Sequence, residues 1–368
     1  MNYMSRLKIT TKIIGILIMI IFVTIIPTYG AEVIQNVQNY GLIQYSPRLM
    51  GGWGGIRLFE SVRYAKDNPP SIVFQGEKAS NAEMVARLLK ERGYNAMRVM
   101  FGSPILETRS EWGWNDLWFQ RMVTIAKTLD LWLIVDYHAY YDSYQFTEQW
   151  ISFWRDNIIS KYKDAYEKLI WEPINEPVQK WNDGSNELTG RDAVNALANQ
   201  YQQWINMARS SGDTHWIVVS AVCWWNPLPM VEWFPRVNDP LNKTFLTMHF
   251  YYFYKYNKDK WSIEDAVTHA DKLFHQTILP AIELYKKPFL CTEMGADYGT
   301  ETPPDAQYTG SSGYSTVTLA FIQRLIDNFD NNMPRIGYML WPAGDWSQAG
   351  LYGALNVWGK LLTYKPFP

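Results

Sequence analysis

Cysteine is almost absent: the 368 residues hold two, Cys223 and Cys291. That excludes a disulfide-built scaffold, and the two lack the close spacing of a zinc site. Both sit in apolar runs and read as small buried hydrophobes, although an extracellular chain could oxidise the pair. Histidine is scarce too, with five residues, and each candidate strand carries a single one. A metal-dependent hydrolase built on "DYH" and "HFY" is therefore disfavoured, because such sites use paired or clustered ligands. No metal or cofactor is expected. Long blocks of Lys or Arg are missing and the net charge is −2, which argues against nucleic acid and towards neutral substrates. No repeat of fixed period is visible.

Aromatic residues, by contrast, are plentiful: 16% of the chain, with 18 Trp and 24 Tyr. Tyr and Trp carry polar tips that want partners, so part of this set is expected to line a binding surface. The N-terminus stands apart. Arg6, Lys8 and Lys12 precede "IIGILIMIIFVTII", and no charge follows until after Ala31. The apolar run is short for a span, Pro27 breaks it, and small Gly30 and Ala31 follow. Residues 1–31 thus read as a signal peptide, with an uncleaved signal anchor as the alternative and the only expected membrane contact. Secretion follows in either reading. Residues 32–50 read as a lead-in, and 51–368 as one catalytic domain, expected to be monomeric.

Beyond the lead-in, short apolar strands alternate with helical patterns. "SNAEMVARLLKERG" carries a capping box at Ser80 and Glu83 and stops at Gly93. Further helices are expected from "LWFQRMVTIAKTLD", "AVNALANQYQQWINMARSSG", residues 263–285 and residues 314–330. Strands end near 100, 138, 175, 222, 251, 293 and 341, with a first strand at "WGGIRLF" (53–59) chosen over "SIVFQ" (71–75). The pattern implies an α/β fold with buried parallel strands. Polar residues recur at the C-terminal ends of these strands: Arg98, His138, Asn175, Glu176, His249, Tyr251, Glu293 and Trp341. A closed (β/α)8 TIM barrel gathers those ends at one mouth, whereas an open sheet spreads them along an edge.

In motif order the chain resembles glycoside hydrolase family 5, the cellulase family of clan A, over about residues 51–345. The resemblance rests on "NAMRVMF", "VDYHAYY", "WEPINEP", "HFYYF", "TEMG" and "YMLW", each after a predicted strand. It implies that Glu176 of "NEP" is the acid/base and Glu293 the nucleophile. Arg98, His138, Asn175, His249, Tyr251 and Trp341 are the implied substrate-binding or supporting residues. Hydrolysis with retention needs one carboxylic acid to protonate the leaving oxygen and one carboxylate to attack the anomeric carbon. Arg98 and Tyr251 would hold the oxygens of Glu293, and Asn175 the sugar 2-hydroxyl. Burial and the charge opposite would keep Glu176 protonated.

Strand alternation puts Glu172, Ile174 and Glu176 on one face, as it does Asp136 with His138, His249 with Tyr251, and Cys291 with Glu293. Glu172 should lie beneath Glu176, paired, in a structural role. The family's geometry also implies a cis bond at Trp341–Pro342. "CWW" at 223–225 and "WGW" at 112–114 are candidate sugar subsites, with loop packing the competing reading. The expected substrate is a β-1,4-linked polysaccharide, cellulose or a soluble β-glucan first and β-mannan second. A carbohydrate-binding barrel without activity is a further alternative.

Overall fold

The computed structural model describes residues 73–74, 77–78, 86, 95–101, 114, 116–138, 147–177, 190–222, 231–295, 301–306, 315–332 and 336–341. The hydrophobic N-terminus, the first-strand segment 53–59, Trp112, residues 223–225 and Pro342 lie outside these. Of the helix expected over 80–93, only Ala86 is described, helical and buried.

Strands β1 (Val73–Phe74) and β2 (Glu77–Lys78) form a small antiparallel pair, so "SIVFQ" does not supply a barrel strand there. Five strands then follow in parallel and in chain order: β3 (Ala96–Phe101), β4 (Trp132–Tyr137), β5 (Leu169–Glu172), β6 (Trp216–Ser220) and β7 (Thr244–Thr247). Single bridges, Leu246 to Phe289 and Phe250 to Met294, carry the order on to β8 (Leu290–Gly295), which pairs in parallel with β9 (Gly337–Trp341). Seven strands thus succeed one another without the reversal of order that marks a doubly wound sheet. Every residue of β4 to β8 is buried, as expected where both faces of a parallel sheet are covered.

Helices supply most crossovers: α1 (Asp116–Leu129), α2 (Thr147–Phe153), α3 (Gly190–Ser210), α4 (Ile263–Leu273) and α5 (Thr316–Asn331). Ser262 caps α4 by accepting from the Asp265 amide. At α5, Ser315 and Thr318 exchange side-chain and backbone bonds, and Val317, Phe321, Leu325 and Phe329 face the core. Both α2 and α4 run on through wider π-helical stretches, Trp154–Ile159 and Phe274–Ile278. The α2 region was not expected from sequence. Trp150, Trp154, Ile158 and Tyr162 recur at intervals of four among its buried residues, with Ile159 beside them, a signal that aromatic richness masked.

β5 stops earlier than expected, at Glu172 rather than near 175. Pro173 has no amide to continue the ladder, and the chain bends away from strand geometry. Ile174 packs in the apolar cluster, so the alternation of Glu172, Ile174 and Glu176 on one face does not carry past the strand end. Residue 176 instead has φ of 39°, left-handed backbone that a Glu before proline rarely adopts.

At the foot of the sheet His215 bonds Asp213 and the Tyr166 carbonyl, while Arg209 bridges Asp213 and Asp239. His269 packs against Tyr252, and His275 against Phe274. These three histidines are structural, as the sequence suggested.

Candidate active site

Arg98, entirely buried on β3, organises the site. Its Nε donates to Glu172 at 2.6 Å, Nη1 to Glu293 at 2.9 Å, and Nη2 to the Asn175 side-chain oxygen at 2.8 Å. Nη2 also lies 2.8 Å from Asp136. Three carboxylates on three other strands thus meet one guanidinium, whose planar fork serves several acceptors at once. Burial opposes the charge on Arg98, but Asp136, Glu172 and Glu293 outweigh it and raise its pKa. Glu172 is held down to about 2: burial works against it, and the charge and hydrogen bond of Arg98, with the charge of His249, override burial. The role expected for Glu172, buried and paired beneath the mouth, is what its partners give it. Asp136 is different. Burial drives its carboxyl upward despite Arg98, with Glu172 adding to the effect.

At the C-terminal end of β4, His138 places Nδ1 2.8 Å from Asp136. On the segment after β7, His249 places Nδ1 2.8 Å from Glu176 and Nε2 3.0 Å from the Thr292 hydroxyl. Tyr251 donates its phenol to Glu293 Oε1 at 2.6 Å, so each oxygen of Glu293 has a donor. Asn175 is buried and anchored through Oδ1, while its Nδ2 has no partner among the described residues and remains a donor to offer. Trp341 closes β9 opposite Gly295.

One oxygen each of Glu176 and Glu293 and a ring nitrogen of His249 lie within 4.8 Å of one another. Glu176 and His249 are hydrogen-bonded to each other and Glu293 is held by Arg98 and Tyr251, the arrangement of an acid–base centre. Side chains of Glu176 and Glu293 are 14% and 8% exposed, so the candidate acid/base is the more open of the two. The protonation expected for Glu176 needs correction. Burial does oppose its charge, but the His249 hydrogen bond and positive charge prevail and hold its carboxyl below the usual range. His249 shows the reverse. Burial disfavours its cation, yet the charge of Glu293 and its links to Glu172 and Glu176 raise it to about 10.

A bulge in β8 explains why consecutive residues both reach the site. Cys291 pairs with Tyr338 and Met294 with Leu340, so β8 holds one residue more than β9 across this stretch. Thr292 bonds Glu172, His249 and Thr247, while its neighbour Glu293 bonds Arg98 and Tyr251. Alternation alone would have sent them to opposite faces. Thr292 and Thr247 were positions that the sequence did not single out, and Asp136, placed on one face with His138, had been given no role. The available signals were Asp-x-His at the end of β4 and Thr directly before Glu293. Cys291 is free and buried, as expected. Trp114 packs edge-on against Phe101, Phe153 and Tyr162, which assigns it to packing rather than to a sugar subsite.

Parallel strands in chain order that bring two glutamates face to face at their C-terminal ends define a barrel glycoside hydrolase. The chain belongs to the cellulase family, glycosyl hydrolase family 5, whose model matches residues 63–345. It has the (β/α)8 barrel fold and is a glycoside hydrolase. Among solved structures it is similar to XacCel5A in complex with cellopentaose, at 16% identity over 83% of this chain and 91% of that one, TM-score 0.57. The endo-β-1,4-glucanase Xac0029 from Xanthomonas axonopodis pv. citri is similar at 17% identity over 83% and 91%, TM-score 0.55. A broad-specificity endoglucanase from an uncultured bacterium gives 15% identity over 76% and 83%, TM-score 0.54. No curated protein matches the chain in sequence.

Proposed function

We propose that the protein is a secreted, retaining endo-β-1,4-glucanase with Glu293 as nucleophile and Glu176 as acid/base. The observation that carries this reading is the approach of the two carboxylates, with oxygens within 4.8 Å. That suits the about 5–5.5 Å of retaining enzymes better than the about 6.5–9.5 Å of inverting ones. Glu293, gripped by Arg98 and Tyr251, attacks the anomeric carbon as the bond to the leaving oxygen breaks and Glu176 delivers a proton to that oxygen. Water then attacks the glycosyl-enzyme, giving its proton to Glu176 and releasing Glu293. Asn175 Nδ2 meets the sugar 2-hydroxyl, a contact that strengthens in the transition state. Trp341, at the C-terminal end of β9, is the residue the family resemblance assigns to sugar stacking. None of these steps calls for a cofactor.

Glucan is favoured over mannan by the family's description and by endoglucanase neighbours of the same fold. Export rests on the charged-then-apolar N-terminus. Product analysis on barley β-glucan, carboxymethylcellulose and β-mannan tests the assignment. Short gluco-oligosaccharides from the glucans and slower attack on mannan are expected; mannan as the preferred polymer would overturn the glucanase reading.

A further inference from the structure

We propose that Thr292 is a positioning residue which fixes the tautomer of His249, so that His249 and Glu176 hold the catalytic proton between them. The inference rests on the acid/base role given to Glu176 above. It follows from hydrogen-bond arithmetic at one hydroxyl. Glu172 is an ionised acceptor, and its Oε1 receives the Thr292 hydroxyl at 2.7 Å. The single hydroxyl proton of Thr292 is then committed. Its oxygen must accept from its other neighbours, His249 Nε2 at 3.0 Å and the Thr247 hydroxyl at 3.0 Å. Thr247 is oriented in turn by accepting the Thr292 amide at 3.1 Å. Nε2 of His249 therefore carries a proton, whatever the state of the other nitrogen.

Nδ1 is left facing Glu176 at 2.8 Å, and there are two ways to fill that bond. Either Nδ1 holds a proton and donates to a Glu176 carboxylate, or Glu176 holds it and donates to Nδ1. One proton moves between the two atoms and none is gained or lost. This resolves an apparent contradiction, since a carboxylate held below its usual range would otherwise make a poor acid. The ion pair stores the proton on His249. As the glycosidic bond breaks, the proton passes from Nδ1 to Glu176 and from Glu176 to the leaving oxygen, and deglycosylation returns one from water. Without Thr292, neutral His249 could take the opposite tautomer, donating from Nδ1 and holding Glu176 as a carboxylate with no proton to give.

The charged groups around His249 are consistent with this assignment. Glu172 comes from β5, Glu176 from the bend after it, Glu293 from β8, and Tyr251 from its own segment. Arg98 lies behind Glu172 and Glu293, with Asp136 and His138 beyond. The direct gap from His249 Nε2 to Glu172 is 3.8 Å, beyond hydrogen-bond range, so Thr292 is the link between them.

The test compares kcat/KM of Thr292→Val and Thr292→Ser on cellotetraose, whose leaving group needs protonation, and on dinitrophenyl cellobioside, whose leaving group does not. For Thr292→Val a loss of about 10²-fold on cellotetraose and under about 3-fold on the aryl glycoside is expected, within the range of general acid catalysis. Its alkaline limb should move about one unit towards neutral, as proton affinity falls about tenfold. Thr292→Ser should restore both. Equal losses on the two substrates with an unmoved limb would reduce Thr292 to packing and overturn the proposal. Should the valine variant fail to fold, nitrogen NMR of the wild-type His249 ring decides: a neutral form protonated on Nδ1 instead of Nε2 overturns it. Glu176→Gln on the same substrates separates the two readings. Undiminished turnover of cellotetraose there would sink the acid/base assignment itself.

Discussion

His249 Nδ1 and Glu176 stand 2.8 Å apart, joined across 73 positions of sequence by a bond in which either atom can own the proton. The pairing governs the pH behaviour of the enzyme. His249 is raised from its ordinary 6.5 to about 10, so the couple keeps its proton through neutral pH and loses it only in alkaline solution. The alkaline limb of kcat/KM should accordingly lie well above neutrality. A limb near 6.5 would show that His249 does not hold the proton.

The same groups predict how stability varies with pH. A folded-state pKa raised above the unfolded one stabilises fully below 6.5, and that contribution is lost as pH rises towards about 10. Glu172 works in the opposite direction: its contribution is present above 4.5 and lost as pH falls towards about 2. Thermal melts should show a plateau between these windows with a decline on each side. Replacing His249 by Asn should flatten the alkaline decline and also soften the acid one, since His249 helps Arg98 hold the Glu172 carboxyl down.

Glu293→Ala should abolish turnover, and azide should restore it while giving the inverted glycosyl azide. Absence of rescue would move the nucleophile elsewhere. Glu176→Gln should lower kcat/KM on cellotetraose by about 10²–10⁴-fold, the range of general acid–base catalysis.

Asn175→Ala should reduce turnover of an ordinary substrate strongly but add little loss on a 2-deoxy analogue, because Nδ2, without a partner among the described residues, then has nothing to hold. Equal losses on both substrates would show that Asn175 acts only through its Oδ1 bond to Arg98.

Arg98→Met strands Asp136, Glu172 and Glu293 without their common cation. Unfolding by denaturant should show a loss of about 3–5 kcal/mol, the usual cost of removing one partner of a buried ion pair. Arg98→Lys should recover little, since an ammonium cannot reproduce the planar fork.

Much of this site was legible in the sequence because strand-end polar residues in a barrel have only one place to meet. Arg98, Asn175, Glu176, His249, Tyr251 and Glu293 converge as their positions implied. Two features were hidden for definite reasons. The bulge at Thr292 depends on pairing with β9, which residue alternation within β8 cannot reveal. The ionisation of Glu176 depends on which partner stands nearest, and His249 wins over burial and the opposing carboxylate. The early end of β5 was readable from Pro173, but the alternation of charged and apolar residues past it suggested a longer strand.

The single guanidinium of Arg98 also bears on how the chain assembles. Its partners come from β4, β5 and β8, the last 195 residues away in sequence. Cutting the chain between β5 and β6 would leave Arg98, Asp136 and Glu172 in one piece, and His249 and Glu293 in the other. The second piece would have to bury Glu293 and His249 apart from Arg98 and Glu176, their partners in the first, at a cost that half-barrel could not offset. Closure of this barrel is therefore one cooperative event dominated by distant contacts, and so intrinsically slow. Two such fragments, unstructured apart, would recover a working enzyme only by folding around each other.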